Sequence, residues 1–443
     1  MAFSSMVFLW MFLPAALLVF WVIPSEKWKK CWLLCSSLLF YCWSDARAFP
    51  LFCLFILVNW VLGRHVRGRK GLLAAGLLLD AGLLCYYKYF PGAGPIPSGL
   101  SFYTFLGVSY LADCFKGAAE DRGLLPTALY FSFFPKVTSG PLVRYADFCG
   151  ESGTEPSEER TAYGVRRFIL GFAKKAVISD QLAPAVSGLF LMDITTAPTL
   201  YMWAAVLLYA IQIYYDFSGY TDMAVGLGAI FGYALPENFD YPYASGSMTD
   251  FWRRWHMTLS RWFRDYIYIP LGGNRKGLVR TCLNLGAVYL VTGIWHGSGL
   301  CYLAWGIWNG AFVILERIFL KKYLEKLPAW IRHVYTLFVV LIGWVFFRAG
   351  SLRRALQMLV SMFVYRAGDA LPIRMFAGPG TWAIFLIGVL FAFPRFPGAV
   401  SRFFSSESKW VRAAETAGLI LIFLVAILFV ASGSYTSFIY FQF

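Results

Sequence analysis

With 443 residues, 59% of them hydrophobic and 19% aromatic against only 14% charged, the chain is too apolar for a soluble protein and long enough for many membrane spans. The excess of 39 Lys and Arg over 24 Asp and Glu reads first as the positive-inside bias of a multi-pass membrane protein. Nucleic-acid binding is the weaker reading, and no nucleic-acid partner is expected, because the basic residues are scattered through short loops rather than gathered on a soluble domain.

Residues 1–24 resemble a signal peptide only loosely, lacking a charged start and a small-residue cleavage site, and are read as the first span. Apolar runs follow at 31–43, 49–63, 71–90 and 100–115. The loops at 25–30, 64–70 and 116–122 are charged, whereas 91–99 is uncharged. This alternation predicts that the charged loops face the cytoplasm. Leu124 to Pro141 carries Pro126, Pro135, Gly140 and Pro141 with Lys136 in its middle, which suits a re-entrant segment better than a clean span. A polar loop is expected at 150–162, then a helix bearing Arg166, Arg167, Lys174 and Lys175. The apolar stretch 200–233 is interrupted in composition by Asp216 and Asp222, carboxylates that are costly in lipid and so should face other helices or a cavity.

From Thr249 a single amphipathic helix is expected to lie in the membrane interface, with Ser247 or Thr249 as its cap. Arg253, Arg254, Arg261 and Arg264 fall on one arc with Asp250. Phe251, Trp252, Trp255, Leu259, Trp262 and Phe263 cover the other side, and His256 and Ser260 sit at the seam. Gly272-Gly273-Asn274-Arg275 is a turn by composition and only a weak phosphate-loop signal. The helix from Thr281 to His296 would rise roughly 24 Å, short of a full bilayer core, and places His296 deep, at a glycine break. Spans at 300–319, 334–347, 381–393 and 413–431 complete about eleven transmembrane helices.

A buried His296 beside a cavity has the side chain suited to removing a proton from a hydroxyl near neutral pH; it equally fits a histidine bonded within the bundle. His256 fits ligand binding or a bridge between headgroup and protein. The arginine row fits the phosphates of a nucleotide-bearing acyl donor or a solvated inner face. The nine cysteines, such as Cys31, Cys35, Cys42, Cys53 and Cys85, show no metal-ligand spacing, and no metal is expected. Two classes of protein remain open on these residues: an enzyme passing a group across the membrane, and a proton-coupled transporter using Asp216, Asp222 and the histidines as a relay.

Five ordered motifs carry a resemblance over effectively the whole chain: Tyr215-Asp216-Phe217-Ser218-Gly219-Tyr220-Thr221-Asp222-Met223-Ala224, Pro236-Glu237-Asn238-Phe239, Phe251-Trp252-Arg253-Arg254-Trp255-His256, Tyr268-Ile269-Pro270-Leu271-Gly272-Gly273-Asn274-Arg275 and Trp295-His296-Gly297. Phe134-Pro135-Lys136, Ser139-Gly140-Pro141-Leu142-Val143-Arg144-Tyr145 and the C-terminal Phe438 to Phe443 fit the same pattern. The sequence resembles the membrane-bound O-acyltransferase family, in particular the bacterial branch with the alginate O-acetyltransferase membrane component and, more distantly, the teichoic-acid D-alanyl transfer protein.

The resemblance implies an all-α polytopic membrane protein, one domain over residues 1–443, with helices ringing a central funnel. Residues 1–123 would be N-terminal spans, 124–310 a core holding the re-entrant segment, interfacial helix and histidine helix, and 311–443 C-terminal spans. It implies His296 as the catalytic base and His256 as the second histidine. Arg253, Arg254, Trp255, Arg261, Asn274 and Arg275 would bind or orient the donor, and Asp216, Asp222, Trp295, Asn309, Lys136 and Arg144 would line or brace the tunnel. No bound cofactor is expected. The donor would be acetyl-CoA or an acyl-carrier thioester from the cytoplasm, and the acceptor an extracytoplasmic polysaccharide or an acetyltransferase partner protein, all at the bacterial cytoplasmic membrane. The chain departs from the family at Asn309-Gly310, where relatives often have a further His-Gly.

Overall fold

A computed structural model describes residues 1–118, 123–150, 157–367, 371–404, 408–433 and 438, apart from the side chains of 401–404. The described residues are helical or irregular, with no strand among them. Among the described residues, six helices are long and apolar enough to cross a membrane: Lys70–Tyr89, Thr199–Ile230, Gly277–His296, Leu300–Leu324, Ala329–Arg348 and Lys409–Ala431. Shorter apolar helices occupy Phe8–Val22, Phe49–His65 and Pro379–Phe391. The chain is a polytopic, all-α membrane protein.

In chain order the helices that matter for the site are α1 (Phe8–Val22), α2 (Glu26–Ser44), α3 (Phe49–His65), α4 (Lys70–Tyr89), α5 (Leu100–Lys116), α6 (Leu124–Ser132), α7 (Tyr145–Gly150), α8 (Glu158–Ala173), α9 (Asp180–Leu191), α10 (Thr199–Ile230), α11 (Met248–Arg254), α12 (Met257–Phe263), α13 (Gly277–His296) and α14 (Leu300–Leu315). Helix α10 is the central post. It runs unbroken through Asp216 to Asp222, the two carboxylates that interrupt its apolar composition, and nearly every residue from Ala204 to Ile230 is buried. It seats against α8 through paired glycines. A Cβ on Gly171 would lie 2.6 Å from the Gly219 carbonyl, and one on Gly226 would lie 2.5 Å from the Gly164 carbonyl. Small residues let two membrane helices approach backbone to backbone.

The two costly carboxylates of α10 are neutralised by the segment facing them. Asp222 accepts from Arg167 at 2.7 Å and Lys174 at 2.6 Å, while Asp216 accepts from Lys175 at 2.8 Å and Ser179 at 3.3 Å; Lys175 also reaches Asp180 at 2.6 Å. Charges out of water persist only when paired in this way. These pairs hold α10 to α8 and the turn after it, which gives Asp216 and Asp222 a bracing place rather than one in a relay.

The segment expected to be re-entrant is α6 followed by irregular backbone, and every residue from Thr127 to Val143 is buried in protein, the setting irregular backbone needs at membrane depth. Lys136 donates to the Tyr130 carbonyl and lies over the Tyr130 and Phe148 rings at 4.3 and 5.2 Å. The expected polar loop at 150–162 is helical from Glu158 onward, with Ser157 as its cap, and 151–156 lie outside the described residues. Of the C-terminal motif only Phe438 is described; it stacks edge-on against Tyr220 at 4.8 Å.

Candidate functional site

The stretch expected to be one interfacial helix is two, α11 and α12, parted at Trp255-His256. Ser247 caps α11 by accepting from the Asp250 amide at 3.1 Å. A second cap comes from Glu316, just past α14: its carboxylate accepts from the Met248 amide at 2.6 Å, the Thr249 amide at 2.9 Å and the Thr249 hydroxyl at 2.6 Å. The break itself is local. His256 adopts φ 46°, ψ 53°, a left-handed conformation uncommon for a residue with a Cβ, and so starts α12 in a new direction. Asn238 supplies the force. Its carbonyl accepts from the Met257 amide at 2.9 Å, and its side-chain oxygen accepts from the Thr258 amide at 3.2 Å and the Thr258 hydroxyl at 2.9 Å. His256 Nδ1 lies 3.1 Å from the same oxygen.

His256 is 2% exposed, its ring edge-on to Phe217 of α10 at 4.7 Å. His296 is 3% exposed at the C-terminal end of α13, enclosed by Trp295, Trp305 and Phe347 at 4.5, 4.9 and 5.1 Å. Helix α13 starts four residues earlier than expected and has 20 residues, about 30 Å of rise, which matches a bilayer core. His296 is therefore buried by its aromatic enclosure and by the bend into α14, not by a short helix. Phe105 of α5 packs on Trp262 of α12 at 4.3 Å and on Trp295 beside His296 at 5.1 Å, which brings the two histidine-bearing stretches into one neighbourhood.

Beside His256 a cavity of about 460 Å³ is lined by Leu142, Val143, Arg144, Asp147, Leu235, Thr258, Arg261, Trp262, Arg264, Asp265 and Tyr266, among others. Three arginines and two carboxylates share its wall. Arg144 and Arg264 both bond Asp265, the latter at 2.8 Å, which leaves Arg261 as the arginine of the three with no ion pair described. Thr258 joins this cavity to the histidine: its hydroxyl accepts from the Leu142 amide at 3.2 Å and donates to Asn238. A void lined by guanidinium groups can hold an anionic ligand, and Thr258 ties its wall to the asparagine that bonds His256.

A model of the family described as MBOAT, membrane-bound O-acyltransferase, matches residues 6–356. The chain belongs to that family. It is 33% identical over its full length to the full length of a probable alginate O-acetylase of Pseudomonas putida. It is 29% identical to a peptidoglycan O-acetyltransferase of Helicobacter pylori, with all of this chain and 97% of that protein aligned. Over 45% of the chain it is 33% identical to 53% of a teichoic acid D-alanyltransferase of Bacillus subtilis. This O-acyltransferase is thus an enzyme, and the transporter alternative is set aside.

The expected site residues divide. His256, Arg144 and Arg261 gather at or next to the cavity, which His296 does not line. Trp255 is not in its lining: 1% exposed, it packs on Phe239, Phe251 and Trp344 at 5.1, 5.6 and 4.9 Å, within the core. Arg254 is occupied by Asp240 and Asp250, each at 3.1 Å, and Arg253 is exposed on α11. Asn274 and Arg275 are exposed in the turn before α13, away from the cavity lining. Asn309 donates to the Trp305 carbonyl at 2.8 Å within its own helix, so it steadies the helix that encloses His296.

Sequence reasoning passed over three groups in this O-acyltransferase. Asn238 stood in a quoted motif without a role, Glu316 was one acid in an apolar run, and Lys88 ended an ordinary span. Lys88 and Tyr89 donate to the Trp295 and Ile294 carbonyls, closing the last turn of α13 from α4. A cation there also complements the negative end of the helix. For Lys88 and Glu316 the available signal was a lone charged side chain in an apolar run; Asn238 lies in the irregular stretch after α10 and carried no such signal.

Proposed function

We propose that this O-acyltransferase moves an acyl group, acetyl in the first instance, from a cytoplasmic thioester donor to a hydroxyl of an extracytoplasmic polysaccharide or partner protein, in the bacterial cytoplasmic membrane. The observation that carries the reading is an arginine-lined cavity with His296 just beyond its wall: Phe105 packs on Trp262 of the cavity at 4.3 Å and on Trp295, the neighbour of His296, at 5.1 Å. The cavity takes in Ala234 to Pro236, just past the end of α10, where Phe231 meets Phe20 at 5.1 Å beside the basic 25–30 loop. His296 ends α13 against Lys88 and Tyr89, the end of α4 far from the basic 64–70 loop. With basic loops inside, the cavity opens to the cytoplasm and His296 lies towards the outside.

In this mechanism the donor, acetyl-CoA or an acyl-carrier thioester, sets its phosphates on Arg261 and the arginines around it. His256 orients the donor's reactive end. His296 takes the proton from the acceptor hydroxyl, whose oxygen attacks the thioester carbonyl; the thiolate leaves and takes up the proton. Full-length likeness to an alginate O-acetylase and a peptidoglycan O-acetyltransferase supports acetyl and a polymer acceptor.

The test is transfer of radiolabel from acetyl-CoA by purified protein in liposomes, with a hydroxyl polymer supplied. Loss of His296 as His296→Ala should lower transfer by about 10²-fold or more, the usual weight of a general base. Full transfer by His296→Ala would overturn the assignment. Transfer from an acyl-carrier thioester but not from acetyl-CoA would shift the donor class and keep the mechanism.

A further inference from the structure

Asn238 is buried, 1% exposed, and its side-chain oxygen gathers three neighbours within hydrogen-bond reach. The direction of each bond follows from two backbone amides, which can only donate. The Thr258 amide points at the side-chain atom of Asn238 at 3.2 Å, so that atom is the oxygen. The Leu142 amide donates to the Thr258 hydroxyl at 3.2 Å, so the hydroxyl's own proton is free to donate to Asn238 at 2.9 Å. The atom facing His256 Nδ1 at 3.1 Å is then an acceptor with nothing to give. Nδ1 must carry a proton, and in the neutral ring the lone pair lies on Nε2.

We propose that Asn238 is a positioning residue that fixes neutral His256 as the Nδ1–H tautomer, so that His256 offers an acceptor, Nε2, to its ligand. The inference rests on the reading of His256 as a donor-orienting group and narrows it. A neutral His256 of this tautomer takes a hydrogen bond from an N–H or O–H of the acyl donor or acceptor. It cannot donate to the oxyanion that forms on the thioester carbonyl. The ligand group it recognises is a hydrogen-bond donor, such as an amide N–H in the arm that carries the thioester. Among the described residues the Nδ2 of Asn238 has no hydrogen-bond partner, and the bonds of its side chain run through the oxygen. The same asparagine holds the left-handed turn at His256, so tautomer and ring placement are set by one residue.

The experiment uses the full chain labelled with 15N-histidine, tractable because the sequence has four histidines, His65, His256, His296 and His333. The His256 signals are assigned by their loss in His256→Ala. In wild type at a pH where the ring is neutral, the expected spectrum has a protonated Nδ1 and a bare Nε2, told apart by the two-bond coupling of the ring Hδ2 to Nε2. Asn238→Asp, which keeps the acceptor, should retain that pattern. Asn238→Leu should lose it and lower kcat about tenfold or more, with a smaller change in the donor KM. A wild-type spectrum with the proton on Nε2, or one unchanged in Asn238→Leu, overturns the proposal. Because the spectrum does not depend on turnover, it stands apart from the functional reading. Full transfer by His256→Ala, beside the expected wild-type spectrum, would overturn the donor-orienting role of His256 on which the inference rests.

Discussion

Asp265 binds two of the three arginines of the cavity, and its protonation state decides how they are held. Burial would raise its proton affinity, but donation from Arg264 and the charges of Arg144 and Arg264 outweigh this and hold the carboxyl below its ordinary value of 3.8. A lowered folded-state value means that the bond stabilises the fold above the ordinary carboxylate range and is lost as pH falls below it. Acid unfolding of the wild type should therefore steepen below about pH 4, and Asp265→Asn should flatten that limb, read by intrinsic fluorescence in detergent. The effect should be small, since the group is partly exposed.

Arg261 and Arg275 separate cavity from turn. Arg261→Ala removes a guanidinium without an ion pair described and should raise the donor KM about tenfold, the weight of one charge-assisted bond to a partly solvated anion. Arg275→Ala should leave KM within about twofold, because its side chain stands outside the cavity. Equal effects of both on KM would remove the cavity from donor binding. Glu316→Leu strips the second cap from α11, leaving the buried Met248 amide and the half-buried Thr249 amide unmet, and should cost about 1–3 kcal/mol in thermal stability.

Among the elements, the α8–α10 contact has least room for error. At Gly226 a side chain would run into the Gly164 carbonyl and the Phe168 amide, both backbone and unable to swing aside. Gly226→Val should lower the melting temperature in detergent by several degrees, as overpacking of about 1–3 kcal/mol does. Gly418→Val, on Lys409–Ala431 with open space around it, is the control and should change little.

The helices themselves were legible from apolar runs and the loops between them, because the hydrophobic requirement of a bilayer is written residue by residue. The division of the central stretch was not. Local periodicity favours one helix through Trp255 and His256, and what breaks it is Asn238, remote in sequence by eighteen residues. The same distance hid which arginines meet. Arg144 and Asp265 lie 121 residues apart, so no pattern within a helix joins them. His296 was legible as a functional candidate from depth and a glycine stop; its aromatic enclosure came from Trp305 and Phe347, on later helices.

At the scale of the whole molecule, the arginine cavity and His296 lie on either side of Phe105. The buried carboxylates of α10 are spent on holding α8, which leaves the histidines and the arginine cavity as the groups available to a substrate. The central claim is that an acyl group enters from the face bearing the basic loops and leaves on the other. It is tested most directly in liposomes of uniform orientation, with labelled thioester confined to the side of the 25–30 and 64–70 loops and a hydroxyl polymer confined to the opposite side. Label should appear as an ester on that polymer, and His296→Ala should abolish its appearance. Ester formed only when donor and acceptor share one side, or formed equally by His296→Ala, would contradict the account.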